Sequence, residues 1–209
     1  MNKFSLSVKE EKLILLPLRA IYWTSNRVLI ISDLHLGKAG HFRKHGIAVS
    51  RKVHLHDLRN LELLIKETKA ERIFFLGDLF HSYQNAEWED FLRFLYAHSN
   101  VECTLIEGNH DILTEYPKQL HVTKKLILHP FSFTHVKEND TYYNISGHIH
   151  PGVTVADKTR MSMTLPCFLF SEAYALLPAF GQFTGIKKIS PNKGDRVFVI
   201  GDDQIFRLP

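Results

Sequence analysis

The sequence contains only two cysteines, Cys103 and Cys167, and each lies in a separate apolar stretch. They form no Cys-x-x-Cys motif, which argues against a structural cysteine–zinc site and against a disulfide framework. We therefore predict two buried, reduced thiols and a reducing compartment.

Long apolar runs are also lacking. The most apolar early stretch, residues 13–23, is interrupted by Pro17 and Arg19 and follows Glu10 and Glu11. It is shorter than the roughly 20 residues that a membrane-spanning helix needs, and it lacks the layout of a signal peptide. We expect a cytoplasmic protein with no membrane partner.

Linkers, internal repeats and low-complexity segments are absent from the 209 residues, so we expect one domain over residues 1–209. The formal net charge of +4 permits contact with an anionic substrate but does not require it. Histidine, in contrast, is abundant, with thirteen copies. Because imidazole is a common metal ligand, this abundance directs attention to a metal site.

Apolar runs typical of strands alternate with helical patterns in the first half of the chain. Short strands are predicted over residues 4–23, including 4–8 and 13–16, and further strands at 27–32, 73–76 and 101–106. Leucines at helical spacing from Leu58 and an apolar face from Trp88 to Tyr96 predict two helices. The last three strands are expected to form three strand–helix units. From residue 119 onward short alternating runs predict a mostly β second half, with strands ending near 128, 135, 147, 155, 170, 177 and 200.

Polar residues follow the predicted strands directly. The run 73–76 ends in Gly77-Asp78, the run 27–32 leads into Asp33-Leu34-His35, and the run 101–106 leads into residues 107–111. In open α/β sheets, ligands bind at the carboxyl ends of the strands. We therefore place Asp78 at the centre of the site, as a carboxylate shared by two metal ions.

Histidines supply the remaining candidate ligands. Residues i and i+2 of an extended segment point to the same side, so Asp33 and His35 can reach one pocket, as can His148 and His150. Carboxylate, imidazole and amide ligands without a thiolate suit manganese, iron, zinc or another borderline divalent ion. His135 is favoured over the nearby His129 because of its place in the order of motifs.

The ordered set of motifs resembles the calcineurin-like metallophosphoesterase superfamily. It comprises Asp33-Leu34-His35, Gly77-Asp78, the Gly-Asn-His-Asp run at 108–111, His135 and the Gly-His-Ile-His run at 147–150. Five stretches, at 32–38, 77–81, 148–152, 166–168 and 177–181, are similar to the bacterial DNA-ligase-associated phosphoesterases of the PdeM subfamily. The resemblance implies an α/β fold: a four-layer α/β/β/α sandwich with two mixed β-sheets.

The same resemblance implies a role for each site residue. One metal would be held by Asp33, His35 and His150, the other by Asn109, His135 and His148, with Asp78 bridging both. A water or hydroxide between the ions would attack phosphorus. His110 would act at the leaving oxygen, and Asp111 would orient the His110 ring. Manganese is the expected metal, with iron, zinc, nickel and cobalt as alternatives.

Basic residues follow the first metal motif, and Lys38 and Arg43 could contact substrate phosphates or simply form a solvated face. His81, three residues after Asp78, could line the site or lie in an ordinary loop. Only 59 residues follow His150, too few for the additional DNA-binding domain of related repair nucleases. No room for a helical lid is visible between Asn109 and His135, so we expect an open site.

The expected function is a two-metal phosphodiesterase or nuclease that acts on nucleic acid in the DNA damage response. By resemblance, functional association with a DNA ligase and a helicase is implied. The alternative is a phosphodiesterase or phosphatase for a small phosphorylated metabolite. A non-catalytic scaffold of the same fold is disfavoured, because a scaffold needs neither a complete ligand set nor His110. The pattern does not indicate an oligomeric state.

Overall fold

The computed structural model describes residues 2–38, 53–80, 86–113, 115–156 and 162–209. Its described helices are α1 (Val53–Thr68) and α2 (Ala86–Ala97). The strands of the first half are β1 (Phe4–Val8), β2 (Glu11–Leu16), β3 (Ala20–Trp23), β4 (Val28–Ile31), β5 (Arg72–Leu76), β6 (Glu102–Ile106) and β7 (Leu120–Thr123). Those of the second half are β8 (Leu126–Leu128), β9 (Phe131–Thr134), β10 (Tyr143–Ser146), β11 (Pro151–Ala156), β12 (Ser162–Phe170), β13 (Tyr174–Leu176), β14 (Lys187–Lys188), β15 (Arg196–Gly201) and β16 (Gln204–Arg207).

The first sheet contains β1 to β7 in sequence order. Strands β1 to β4 are antiparallel to their neighbours, whereas β4, β5, β6 and β7 pair in parallel. Helix α1 connects β4 to β5 and α2 connects β5 to β6. Parallel strands joined in this way end at the same edge of the sheet, and this edge carries the polar turns.

The second sheet is built from the other nine strands, in the order β14-β11-β12-β13-β10-β9-β8, with β15 joined to β12 and β16 joined to β15. It is also mixed: β10 pairs in parallel with β9 and β13, whereas β12 pairs antiparallel with β11, β13 and β15. The two mixed sheets agree with the predicted α/β sandwich, but among the described residues no helix forms the predicted outer layer on the second sheet.

Strand β5 shows why the sheets stack. Its side chains alternate, so that Ile73 and Phe75 join the core shared with the helices, whereas Phe74 and Leu76 join the core between the two sheets. All four residues are at most 3% exposed. The continuous apolar run in the sequence therefore marks a strand that is buried on both faces.

Both described helices pack on the outer face of the first sheet, where Leu61 of α1 and Phe91 of α2 share one apolar core. The outer face of the second sheet carries a smaller apolar cluster that includes Val153, Cys167 and Val199, and no described helix covers it. Cys103 and Cys167 are buried and unpaired, and burial raises the pKa of each thiol to about 12.

The predicted strands agree with the structure over most of the described chain, and the second-half strand ends lie within one residue of the expected positions. The expectation of three strand–helix units was wrong. In the described part of the chain, β6 leads through a turn and irregular backbone into β7 without a helix. Strands β7, β14 and β16 were not predicted.

Neither of the two described helices has the length and hydrophobicity that a membrane-spanning helix requires.

Candidate metal centre

The seven predicted ligands gather where strands of both sheets end. In the first sheet, Asp33 and His35 follow β4, Asp78 follows β5, and Asn109 follows β6. In the second sheet, His135 follows β9, and the turn after β10 carries His148 and His150. Backbone hydrogen bonds join these turns: the His35 amide donates to the Asp78 carbonyl (2.8 Å), and the Gly147 amide donates to the His135 carbonyl (3.1 Å).

One candidate metal-binding group consists of Asp33, His35 and His150, whose possible ligand atoms all lie within 4.8 Å of one another. The closest measured approach is 3.0 Å, between His150 Nε2 and Asp33 Oδ1. Asp33 is fully buried and His35 is 6% exposed. Two members of this group come from the first sheet and one comes from the second.

A second group consists of Asp78, His135 and His148. His135 Nε2 lies 3.4 Å from Asp78 Oδ1 and 3.0 Å from His148 Nδ1. Asn109 Oδ1 is also 3.0 Å from His135 Nε2, which places the amide beside this group. His129, the alternative candidate, instead has its ring beside that of Tyr142, with 6.1 Å between the ring centroids.

Asp78 belongs to the second group and also faces the first. Its Oδ1 faces His135, and its Oδ2 lies 3.8 Å from His35 Nε2. Burial acts to raise the pKa of Asp78, but hydrogen bonds from the His135 ring and the His110 amide, with the charge of His135, lower it to about 2. Burial likewise opposes protonation of His135, yet Asp78 and the Leu76 carbonyl raise its pKa.

The donor set fits divalent cations. Asp33 Oδ1 and His150 Nε2 are buried, and neither has a hydrogen-bond partner among the described residues. Buried polar atoms nearly always have a partner, so two unsatisfied atoms that face each other need an explanation. A cation bound by both atoms would satisfy them, and oxygen with imidazole nitrogen is a donor set that borderline divalent metals accept.

Backbone conformation marks the same residues. Five of the seven predicted ligands have positive φ angles between 49° and 65°: Asp33, His35, Asp78, His148 and His150. Non-glycine residues rarely adopt this left-handed conformation, and such strained positions cluster at functional sites. Here the strained turns aim several side chains from separate strands into one small volume.

Two glycines leave room for these side chains. Gly77 has a φ of 77°, and a Cβ at this position would collide with the His135 ring. At Gly147, a Cβ would lie 2.5 Å from Asp33 Oδ2. Any larger residue at either position would displace a predicted ligand.

His110 and Asp111 occupy different environments. The His110 side chain is exposed, and its ring centroid lies 5.6 Å from that of His35. Asp111 is buried, and its carboxylate accepts hydrogen bonds from the Phe80 and Gly108 amides, both 2.9 Å long. Through these bonds Asp111 joins the turns after β5 and β6. The orientation of the His110 ring by Asp111 stays a prediction. Burial raises the pKa of Asp111 to about 6 despite both bonds.

Of the three predicted substrate contacts, Lys38 lies in the described structure, whereas Arg43 and His81 fall outside the described residues. Lys38 is partly buried, and its amide donates to the His35 carbonyl (3.2 Å). Burial lowers the pKa of Lys38, while the charges of Asp33 and Asp78 oppose that change. Its ammonium group is therefore electrostatically linked to both metal-binding groups.

Sequence reasoning missed two supports of the site. Glu87 of α2 is 3% exposed and accepts a hydrogen bond from the Gly37 amide, although a glutamate in the first turn of a helix is usually solvated. The segment after β13 also supports the turn after β4: the Phe180 amide donates to the Ser32 carbonyl (2.8 Å). The sequence signal for this support was the 177–181 motif, but the sequence did not show that this motif lies beside the turn after β4.

This chain is similar to one protein family and to several solved structures. A profile described as calcineurin-like phosphoesterase matches residues 26–179. The crystal structure of a Pseudomonas putida nuclease, MPE, is similar over 99% of this chain and 100% of that chain, with 28% identity and a TM-score of 0.84. Yfce, a phosphoesterase from E. coli, is a more distant match over 87% of this chain and 97% of that chain, with 14% identity and a TM-score of 0.42. A search of curated proteins found no match.

Proposed function

Since this chain belongs to the calcineurin-like phosphoesterase family and is a metal-dependent phosphoester hydrolase, we propose that it is a phosphodiesterase whose substrate is nucleic acid. The observation that carries the proposal is the likeness to the P. putida nuclease, which extends over nearly all of both chains. The side chains of Asn109 and His110 are exposed. This exposure favours a polymeric substrate, because a strand can approach without entering a closed pocket.

The proposed ligand assignment follows the two groups. Asp33, His35 and His150 would hold one ion, and His135, His148 and Asn109 would hold the other, with Asp78 shared between them. When bound, such a pair of ions activates water and neutralises charge on the phosphoryl oxygens. Carboxylate and amide oxygens with imidazole nitrogens suit manganese, iron, zinc or another borderline divalent ion, and we take manganese as the first metal to test.

The protein's own groups complete the reaction. His110 lies at the exposed edge of the site, beside His35, where its ring can donate a proton to the leaving oxygen. Lys38 supplies positive charge for a non-bridging or neighbouring phosphate oxygen. Asp111 holds the backbone that carries His110 in place by joining two turns. From the subfamily resemblance we extend the proposal to a role in DNA repair, with a DNA ligase and a helicase as functional partners.

The test is a paired assay with added Mn²⁺, using bis-p-nitrophenyl phosphate as a diester and p-nitrophenyl phosphate as a monoester. Single-stranded DNA and RNA oligonucleotides follow as polymer substrates, and Asp78→Asn serves as the control throughout. Cleavage of the diester and of an oligonucleotide, both lost in the variant, supports the proposal. Hydrolysis of the monoester alone would replace it with a phosphatase function.

A further inference from the structure

The segment between β13 and the end of β14 runs along the first metal-binding group and is fixed to it at both ends. At one end, the Gly181 amide donates to the carbonyl of Asp33 (3.2 Å). At the other end, the Lys187 amide donates to the carbonyl of His150 (2.9 Å). Asp33 and His150 belong to the same candidate metal-binding group. Residues 181–188, which we term the flanking segment, therefore lie directly beside that group.

The flanking segment has a defined path. Thr184 is 7% exposed, and its amide closes a turn onto the Gly181 carbonyl (3.1 Å). Beyond this turn, β14 pairs in parallel with the start of β11, where Lys187 lies opposite Pro151. Any side chain that points outward from this segment therefore has a fixed position relative to the metal-binding group.

The outward side chains combine apolar and basic character. Phe183 is 46% exposed and Ile186 is 41% exposed, although the protein buries most of its large apolar side chains. Lys187 and Lys188 are both exposed. Single exposed apolar residues need no explanation. An exposed aromatic ring four residues before two exposed lysines in one short segment is different, because base stacking with phosphate neutralisation is how proteins bind single-stranded nucleic acid.

We propose that the flanking segment binds the single-stranded nucleic acid next to the scissile phosphate. Phe183 stacks on a base, and Lys187 and Lys188 contact neighbouring phosphates. This inference rests on the proposed function, since it assigns a binding surface to the same substrate. It concerns substrate affinity rather than the chemical step.

The test measures oligonucleotide binding and cleavage for Phe183→Ala and for the double variant Lys187→Gln/Lys188→Gln. Matched controls lie at the other end of the molecule: Tyr96→Ala removes an exposed aromatic ring from α2, and Lys12→Gln/Lys193→Gln removes two exposed lysines. Hydrolysis of bis-p-nitrophenyl phosphate provides a readout that does not depend on the polymer. Binding is followed by the fluorescence anisotropy of a labelled single-stranded oligonucleotide over a range of salt concentrations.

We expect Phe183→Ala to weaken oligonucleotide binding by roughly 5- to 100-fold, the range that loss of one stacked base produces. The salt dependence of binding should stay unchanged in this variant. The double lysine variant should instead reduce the slope of log K against log salt by about 1.4, because each lost phosphate contact contributes about 0.7 for a single strand. Hydrolysis of the small diester should match the wild type in both variants.

Unchanged oligonucleotide binding in both variants, with normal cleavage by the wild type, would overturn the inference and leave the proposed function intact. Equal weakening in the control variants would also overturn it, because the effect would then not be local. If the wild type hydrolyses the small diester but neither binds nor cleaves any oligonucleotide, nucleic acid as the substrate and the inference both fail. The phosphodiesterase activity would remain established in that case.

Discussion

Asp78 Oδ1 lies 3.4 Å from His135 Nε2, while the other oxygen of the same carboxylate faces the first metal-binding group. Replacement of Asp78 by Asn removes the negative charge that both proposed ions share. We expect Asp78→Asn to lose at least one of two equivalents of metal and nearly all diesterase activity. Metal content is measured by elemental analysis after gel filtration. Full activity with two bound ions would contradict the shared-carboxylate assignment.

His110→Ala tests the proposed proton donor. The His110 side chain is exposed and not assigned to either ion, so we expect the variant to keep its metal content. Cleavage of an oligonucleotide, whose alkoxide leaving group needs a proton, should fall by roughly 10²- to 10⁴-fold, the usual contribution of a positioned acid. A diester with a more acidic leaving group should recover part of the loss. Loss of metal in His110→Ala would instead assign this residue to the metal-binding set.

Asp111→Asn tests the link between the turns after β5 and β6. One carboxylate oxygen would become an amide nitrogen, which cannot accept from the Phe80 or Gly108 amide. We expect a loss of about 1–3 kcal/mol in the free energy of unfolding, the usual effect of leaving a buried donor unsatisfied. Urea unfolding measures this, with exposed Asp203→Asn as the control. An unchanged midpoint would show that the two bonds contribute little.

The pH dependence of stability should depend on Asp57. This residue of α1 is 4% exposed, and burial raises the pKa of its carboxyl to about 7, although the Gln182 amide and the charge of Arg19 act in the opposite direction. Between about pH 4 and pH 7 the folded state holds a proton that the unfolded chain releases, so stability falls as pH rises through this window. The stability that protonated Asp57 contributes is therefore fully present only below the pKa that Asp57 has in the unfolded chain.

Asp57→Asn removes this titration while preserving the shape of the side chain. The drop in unfolding free energy between pH 5 and pH 8 should be smaller than in the wild type, by on the order of 2–4 kcal/mol. Arg19 keeps its hydrogen bonds to the carbonyls of Ala179 and Gly181 in the variant. Urea titrations at the two pH values give the comparison. Identical pH dependence in both proteins would show that Asp57 does not carry the effect.

Local patterns were sufficient to predict much of this fold. The run 73–76 is uniformly apolar, and the structure buries it on both faces as part of β5. Alternation in the second half predicted several strands because period-two patterning is visible within a few residues. Strand β14 has only two residues, both exposed lysines, and carries no such pattern. The stacking of two sheets came from the family resemblance, because pairing between distant strands leaves no local signature.

For the candidate site, too, some features were predictable from the sequence and others were not. Motif order brought Asp33, Asp78 and His148 into one set. The structure places Asp33 in one candidate group and Asp78 with His148 in the other, and the His148 amide donates to Asp33 Oδ2. The backbone hydrogen bonds of Asp111 were not predictable, because they depend on how closely two separate turns approach each other. The position of the flanking segment beside the first metal-binding group was not predictable for a similar reason. Its connection to Asp33 spans 148 positions in the sequence and uses only main-chain atoms, which no residue type reveals.

Each candidate metal-binding group takes ligands from both sheets, so bound ions would act as cross-links between the halves of the sandwich. Separation of the sheets at this edge would then require release of metal, and the free energy of metal binding would add to the stability of the packed sheets. Hydrogen exchange at the amides of the turns after β4 and β10 should slow when metal is added. In this protein, closure of the fold and assembly of the catalytic centre would be one equilibrium.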